Sequence, residues 1–223
     1  MASRITARNE QLGVELLFSD VVYNEKNIFL RHIILRNTQD RKRTIQLFFN
    51  QQFFISGTNF ANTVYVYKDE HAIIHYKGRR VFLVSGMQGK HYFDDYAVGL
   101  SGIEGKEGTW QDAEDGVLSR NAIEHGSVDS TIAFSCALDA SADTTLSYWV
   151  CVGETLREVM ALHGYVLQRT PGHIRASTTD YWKAWLTKRP FVFHGLTDAA
   201  ADLFQKSLLI TRAHTDNHGG IIA

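Results

Sequence analysis

Ten histidines are the residues of this chain best suited to chemistry, and their spacing decides what they can do. His71 and His75 stand four apart, as do His214 and His218, the latter with Asp216 between them. On a helix that spacing puts two imidazoles on one face, where they can share a metal ion. The first pair falls in a strand–turn–strand pattern, which separates it by roughly 13 Å of strand or by the turn itself. The second runs into Gly219 and Gly220, which end a helix, so it reads as a histidine-bearing C-cap at the negative end of the dipole. Residues 112–116, DAEDG, open like a calcium loop. The pattern then fails, with glycine in fifth place and His125 near where a glutamate is needed. Asp94 with Asp95, and Glu104 with Glu107, are carboxylate pairs of the kind used in acid–base work. Neither pair has an apolar shell in sequence, so they read as solvated loop charges. Tyr181, Trp182 and Trp185 can stack on a sugar or pack a helix onto a sheet. The chain carries no glycine-rich phosphate loop, no G-x-S-x-G elbow and no Cys-x-x-Cys. No residue is assigned as catalytic, substrate-binding or metal-ligating, and no cofactor is expected.

The elements that would position these residues are mostly strands. Residues 44–55 place Ile45, Leu47, Phe49, Phe53 and Ile55 on one face at period two, interrupted only by Gln51. Residues 62–67 and 72–76 flank the polar KDEH of a hairpin, and the YKGR of residues 76–79 is a second turn. Residues 131–138 point Ile132, Phe134, Cys136 and Leu138 inward, and Leu146, Tyr148, Val150 and Val152 do the same on the next strand. Residues 94–121, with five glycines among acidic residues, read as a long connection with one helical turn at 96–100. After Gly153 the period becomes helical. A first helix over 154–168 carries Leu156, Val159, Met160 and His163 and is stopped by Pro171-Gly172. A second is expected from about Ser177 to Pro190. A third starts at Thr197-Asp198 and runs to about Thr211 or His214, with Leu196, Ala200, Leu203, Ser207 and Ile210 on one face. Strands followed by helices argue for two parts in series rather than βαβ units.

Composition bounds the partners. The net charge of −1 excludes a strongly basic surface, so nucleic acid is not expected. No run reaches the ~18 apolar residues of a membrane span, and the N-terminus lacks a signal-peptide core. Cys136 and Cys151 lie in successive strands, where either a cross-strand disulfide or two buried thiols is possible; buried thiols in a reducing cytoplasm is the reading preferred here. The last nineteen residues, QKSLLITRAHTDNHGGIIA, form an amphipathic helix, a polar turn and three apolar residues. That ending is expected of the front part of a larger protein.

Four segments carry a family resemblance. They are NIFLRHIILRNTQDRKR (27–43), AIIHYKGRRVF (72–82), GTWQDAEDGVLSRNAIEHGSVDSTIAF (108–134) and the closing SLLITRAHTDNHGGIIA. In this order, over nearly the whole chain, they resemble the front part of glycoside hydrolase family 15, the glucoamylases, glucodextranases and trehalases. The resemblance implies a mainly β fold: residues 1–170 an antiparallel, mutarotase-like β-supersandwich, 171–195 a helical linker, and 196–223 the first helix and turn of an incomplete (α/α)6 barrel. It implies an inverting parent enzyme acting on α-glucans or trehalose, with two carboxylates roughly 6.5–9.5 Å apart. Those glutamates belong to the barrel, so this chain is expected to be a truncated, non-catalytic fragment. Its partners are then the rest of the barrel and, through the exposed C-terminal helix with Leu203, Leu208, Ile210, Ile221 and Ile222, a second copy of itself. The family usually has strands ahead of residues 4–15, which leaves an exposed sheet edge as a further expectation. Two rival functions stand beside this one: a free-standing carbohydrate-binding or interaction module using residues 94–121, and a mutarotase-like enzyme using His75, His125 and Glu124.

Overall fold

A computed structural model describes residues 2–188, 191–216 and 218–221. Pro190 and Ile222, for which helix termination and apolar exposure were expected, lie outside the described residues. The strands are β1 (Ile5–Asn9), β2 (Val14–Val22), β3 (Ile28–Asn37), β4 (Arg43–Gln51), β5 (Asn62–Tyr67) and β6 (Ala72–Lys77). They continue as β7 (Arg80–Gln88), β8 (His91–Tyr92), β9 (Asp95–Leu100), β10 (Ile123–Gly126), β11 (Val128–Leu138) and β12 (Asp143–Gly153). Three helices follow: α1 (Leu156–Arg169), α2 (Pro171–Thr187) and α3 (Asp198–Ala213).

All pairings are antiparallel. A large sheet runs β1-β2-β3-β12-β7-β6-β5-β10, with β8 attached to β7, and a small sheet runs β4-β11-β9. The inward faces meet in one core, where Ile33, Leu35, Ile73, Val84, Leu146 and Tyr148 of the large sheet pack on Ile45, Ile132, Phe134 and Cys136 of the small one. The inward sets expected for β11 and β12 are therefore both in this core. The chain crosses between sheets twice at one end, from β3 to β4 and from β11 to β12. Asn37, 1% exposed, ties the two crossovers together: its amide nitrogen donates to Arg41 O (2.8 Å) and Asp139 O (2.9 Å), and its oxygen accepts from Arg43 Nε (2.9 Å).

The outer face of the large sheet is covered by helices. Val159 and Val166 of α1 and Ile174 of α2 are fully buried with Ile28, Leu30, Trp149 and Cys151. Burying each such aliphatic side chain contributes about 1.5–3 kcal/mol. Cys136 and Cys151 sit on opposite sides of the large sheet as buried free thiols, so the cross-strand disulfide is ruled out by the backbone that lies between them. Thr155 Oγ1 caps α1 by accepting from Glu158 N (3.2 Å), while Glu158 Oε2 accepts from Glu154 N (2.9 Å), a reciprocal cap close to a capping box.

Three sequence expectations fail here. The strand read over 44–55 ends at Gln51, and Ile55 opens a short 3-10 turn with Ser56 at φ +58°. Residues 96–100 form strand β9 and not a helical turn, because Tyr96, Val98 and Leu100 alternate inward with Ala97 outward, a period of two. The second helix begins at Pro171, not near Ser177. Proline has no N–H to satisfy at the first helical position, so it opens α2 as readily as it closes α1. Thr170, at φ +68°, turns the chain between them and accepts from His173 N. The edge strand β1 pairs only with β2 and is exposed throughout.

Candidate functional site

The residues raised from sequence are scattered rather than assembled. His71 takes a left-handed turn conformation (φ +48°) and stacks on Tyr92 at 4.4 Å, whereas His75 is 1% exposed between the sheets. His214 Nδ1 lies 2.9 Å from Ile210 O at the end of α3, and Asp216 Oδ1 accepts from His218 N and Gly220 N (2.8 Å each). Among the described residues no group of three or more His, Cys, Asp or Glu side chains is placed to hold a metal ion. The acidic DAEDG is a short 3-10 turn with two of its carboxylates turned to backbone N–H groups instead of a common centre: Asp112 Oδ2 accepts from Ser119 N and Asp115 Oδ1 from Val117 N (2.9 Å each). Asp95 holds the far end of the same loop through Arg120 Nε (2.7 Å) and Leu118 N (3.2 Å).

The mutarotase-like set diverges. His125 points away from Glu124 to the opposite face of β10, and its Nδ1 lies 2.8 Å from Thr63 Oγ1. His75 Nε2 lies 2.8 Å from Ser130 Oγ, which donates to Gln51 Oε1 at 2.8 Å. Ser130 therefore has its proton committed to Gln51 and accepts from a neutral His75 N–H. That is the reverse of the arrangement that activates a nucleophile. Burial pushes His75 down to about 3. Gln51, the one interruption of an apolar face, is the polar partner this buried pair needs. Tyr181, Trp182 and Trp185 form an edge-to-face chain along α2, and Trp185 lines a groove with Phe191 and Leu208 of the α2–α3 region instead of lying on the sheet.

The structure assembles a different site beneath residues 101–121. On the outward face of β11, Asp129 is 1% exposed and both its oxygens accept from Thr109 N (3.0 and 2.9 Å). Asn50 Nδ2 donates to Asp129 Oδ2 (2.9 Å), and Thr109 Oγ1 lies 2.8 Å from Thr131 Oγ1. Burial raises the Asp129 pKa while the Asn50 and Thr109 hydrogen bonds pull it back. Gly108 passes so close that a Cβ there would lie 2.6 Å from Asp129 Oδ2, at a φ of +140° that favours glycine. This anchor holds the loop over a cleft of about 280 Å³, floored by Val98, Gly99 and Leu100 of β9. Its polar walls are Lys106, Glu107, Gln111, Asp112, Ser119, Asn121 and Glu124. The loop was raised from sequence as a carbohydrate-binding segment (94–121), but its anchor, Asp129 with Asn50 and Thr109, was missed. The available signal was Asp129 itself, the one charged residue of β11, which has to find buried donors.

Comparison with known proteins gives the fold. No family model matches the chain. A bacterial glucoamylase solved with acarbose superposes with a TM-score of 0.74 at 10% identity, over 96% of this chain and 30% of that one. A protein described as a "Putative kojibiose phosphorylase from human microbiome" superposes over 80% of this chain and 22% of that one, at 11% identity with a TM-score of 0.49. Among curated proteins, an uncharacterized glycosyl hydrolase of Methanocaldococcus jannaschii is 21% identical over 214 residues, 93% of this chain and 34% of that protein. The chain thus spans a third or less of the length of these proteins. It has the mainly β, antiparallel architecture found within a glucoamylase, and the curated protein it resembles is a glycosyl hydrolase.

Proposed function

We propose that this chain is the N-terminal β-domain of a family 15 glycoside hydrolase, a supersandwich over residues 1–170 joined by a helical linker (171–195) to the first helix of an (α/α)6 catalytic barrel (196–223). The parent removes glucose from α-glucans or splits trehalose by inversion, and this part supports the barrel without carrying its acid and base. We place it in the cytoplasm, a reading supported by two buried thiols that form no disulfide.

The observation that carries the reading is α3. It is sixteen residues long, has a well-formed N-cap at Thr197 and buries none of its residues, leaving Leu203 65% and Ile210 51% exposed. An amphipathic helix of that length has an apolar face that needs a partner. The relatives, three times longer, have the chain to supply one.

The test is hydrolysis of maltooligosaccharides and trehalose by the 223-residue chain, beside the same chain extended by whatever coding sequence flanks it. The expected result is no turnover from the short chain and glucose release from the extended one. Enzyme-like rates from the 223 residues alone would sink the non-catalytic reading. Flanking sequence with no barrel would favour the free-standing module instead.

A further inference from the structure

We propose that the cleft beneath residues 101–121 is a binding site for the end of a neutral saccharide, one or two rings in size, whether this chain works alone or within a longer enzyme. Volume sets the scale. About 280 Å³ is at the lower edge of the roughly 300–1,000 Å³ typical of small-molecule pockets. The lining sets the chemistry. Its floor is the Val98–Gly99–Leu100 stretch of β9, a strip of backbone from which the Val98 side chain turns inward to the core. Its walls carry one ammonium, three carboxylates, two amides and a hydroxyl.

That mixture discriminates between ligand classes. An anion meets three carboxylates against one lysine and is repelled. An apolar ligand would strip water from those same groups and return nothing. A metal ion needs converging ligands, and no such cluster exists among the described residues. A sugar hydroxyl both donates and accepts, so it is the group that a carboxylate beside an amide or ammonium can satisfy twice.

The walls are also held in place with hydrogen-bonding capacity to spare. Gln111 Nε2 donates to Glu107 Oε2 (3.0 Å), Asn121 Nδ2 to Val98 O (2.9 Å), and Asp112 Oδ2 accepts from Ser119 N (2.9 Å). Asn121 Nδ2 donates a second time, to Ile123 O (3.3 Å), which leaves its Oδ1 as the free acceptor among the described residues. Lys106 Nζ, Ser119 Oγ and Glu124 Oε2 have no protein partner among the described residues. The loop is pinned by the buried Asp129 through Thr109, at the edge of the cleft, so the site is formed before a ligand arrives, which limits the ordering cost of binding.

The experiment is an amide NMR titration of the full 223-residue chain with maltotriose and with trehalose, using glucose 6-phosphate and spermidine as charged controls. The expected result is saturable shifts confined to residues 98–100, 106–112 and 119–124, with a Kd of about 1 mM for a neutral sugar. Lys106→Ala with Glu124→Gln, both away from the Asp129 anchor, should weaken binding at least about tenfold, which is ~1.4 kcal/mol, and leave the spectrum elsewhere unchanged. Glucose 6-phosphate should bind at least about tenfold more weakly than maltotriose. The proposal is overturned by any of four results: no sugar-dependent shifts, shifts only with spermidine, shifts located on the aromatic residues of α2, or binding indifferent to the double variant. None of these outcomes bears on whether a barrel follows the chain, so the site and the hydrolase reading fail separately.

Discussion

Helices α1 and α3 make a controlled comparison. They are 14 and 16 residues long, each is capped by a threonine, and each carries an apolar stripe at helical spacing. α1 buries Val159, His163 and Val166 on the large sheet, whereas α3 buries nothing. The difference is not in the helices but in what lies opposite them. α1 faces Trp149 and Cys151 of β12, a strand buried on both faces, while α3 meets Phe191 and Phe193 through Phe204 and a groove with Trp185 of α2 through Leu208. An amphipathic pattern states that a helix has a partner; it does not state where the partner is.

The comparison breaks most sharply at Trp149, which is fully buried and donates from Nε1 to His163 Nδ1 at 3.1 Å. Trp149→Ala opens a cavity under α1 and leaves a buried histidine nitrogen without its donor. The expected loss is about 3–5 kcal/mol, read as a lower midpoint in urea unfolding. An equivalent truncation on α3, Leu203→Ala, should change the same midpoint by less than about 0.5 kcal/mol. Equal losses at the two positions would mean that α3 is as well packed as α1.

The second contrast is in pH. His75 sits between the sheets and His163 under α1, and burial lowers both pKa values, His75 to about 3. His32 is lowered in the same sense, by burial and by the charge of Arg175. A base whose pKa is lower in the folded than in the unfolded chain takes up its proton on unfolding. Stability is therefore full above the ordinary histidine value of about 6.5 and is lost as pH falls from there towards 3. For His75 the slope approaches about 1.4 kcal/mol per pH unit. His75→Gln, which keeps a polar group beside Ser130, should flatten that slope. A pH-independent unfolding free energy between 6.5 and 4 would contradict the burial of these imidazoles. α3 carries no such group, since His214 is exposed at its end.

Asp129 tests the loop anchor. Asp129→Ala leaves Thr109 N without its acceptor inside a buried network and takes one of four acceptors from around Asn50 Nδ2, for an expected loss of about 1–3 kcal/mol. Hydrogen exchange should accelerate over residues 101–121 and stay slow in β11 and β4. Asp129→Asn keeps one acceptor and should lose less. Protection that drops uniformly across the sandwich would mean that Asp129 holds the sheet and not the loop.

Much of the sandwich was legible because its signal is local. Alternation at Ile132, Phe134, Cys136 and Leu138, and at Leu146 to Val152, depends on the two-residue period alone, and both sets are in the core. Thr197 was readable as a cap for the same reason. The sheet assignment of these strands was not legible, because β11 and β12 are neighbours in sequence yet belong to different sheets. Pro171 misled because one residue type both stops and starts helices, and only the turn at Thr170 decides which. The cleft was hidden for a stronger reason. Its lining lies within residues 98–124, but its anchor joins Asn50 of β4 to Asp129 of β11 and Thr109 of the loop, which meet only after the small sheet has formed. Asp129 was not singled out in the sequence, and its partner Thr109, twenty residues earlier in a glycine-rich loop, carries no pattern that points to it.

The smallest effect on the fold is expected on α3, and it is the one that bears most on what the chain does. Leu203, Phe204 and Ile210 are exposed on one helix, with Ile221 beyond it at 75%. In water such a surface is covered by association when a copy is available. We expect the isolated chain to scatter light as a dimer. Leu203→Glu with Ile210→Lys, which place charges on the contact without touching the sandwich, should return it to a monomer. The unfolding midpoint of that monomer should match the parent chain at low concentration, because α3 contributes little to the core. A dimer that survives the double substitution would move the contact to another edge, of which β1 is the exposed candidate. A monomer from the start would mean that the aromatic cluster of Phe191, Phe193 and Phe204 is enough to satisfy the helix, and α3 would no longer support the proposed barrel.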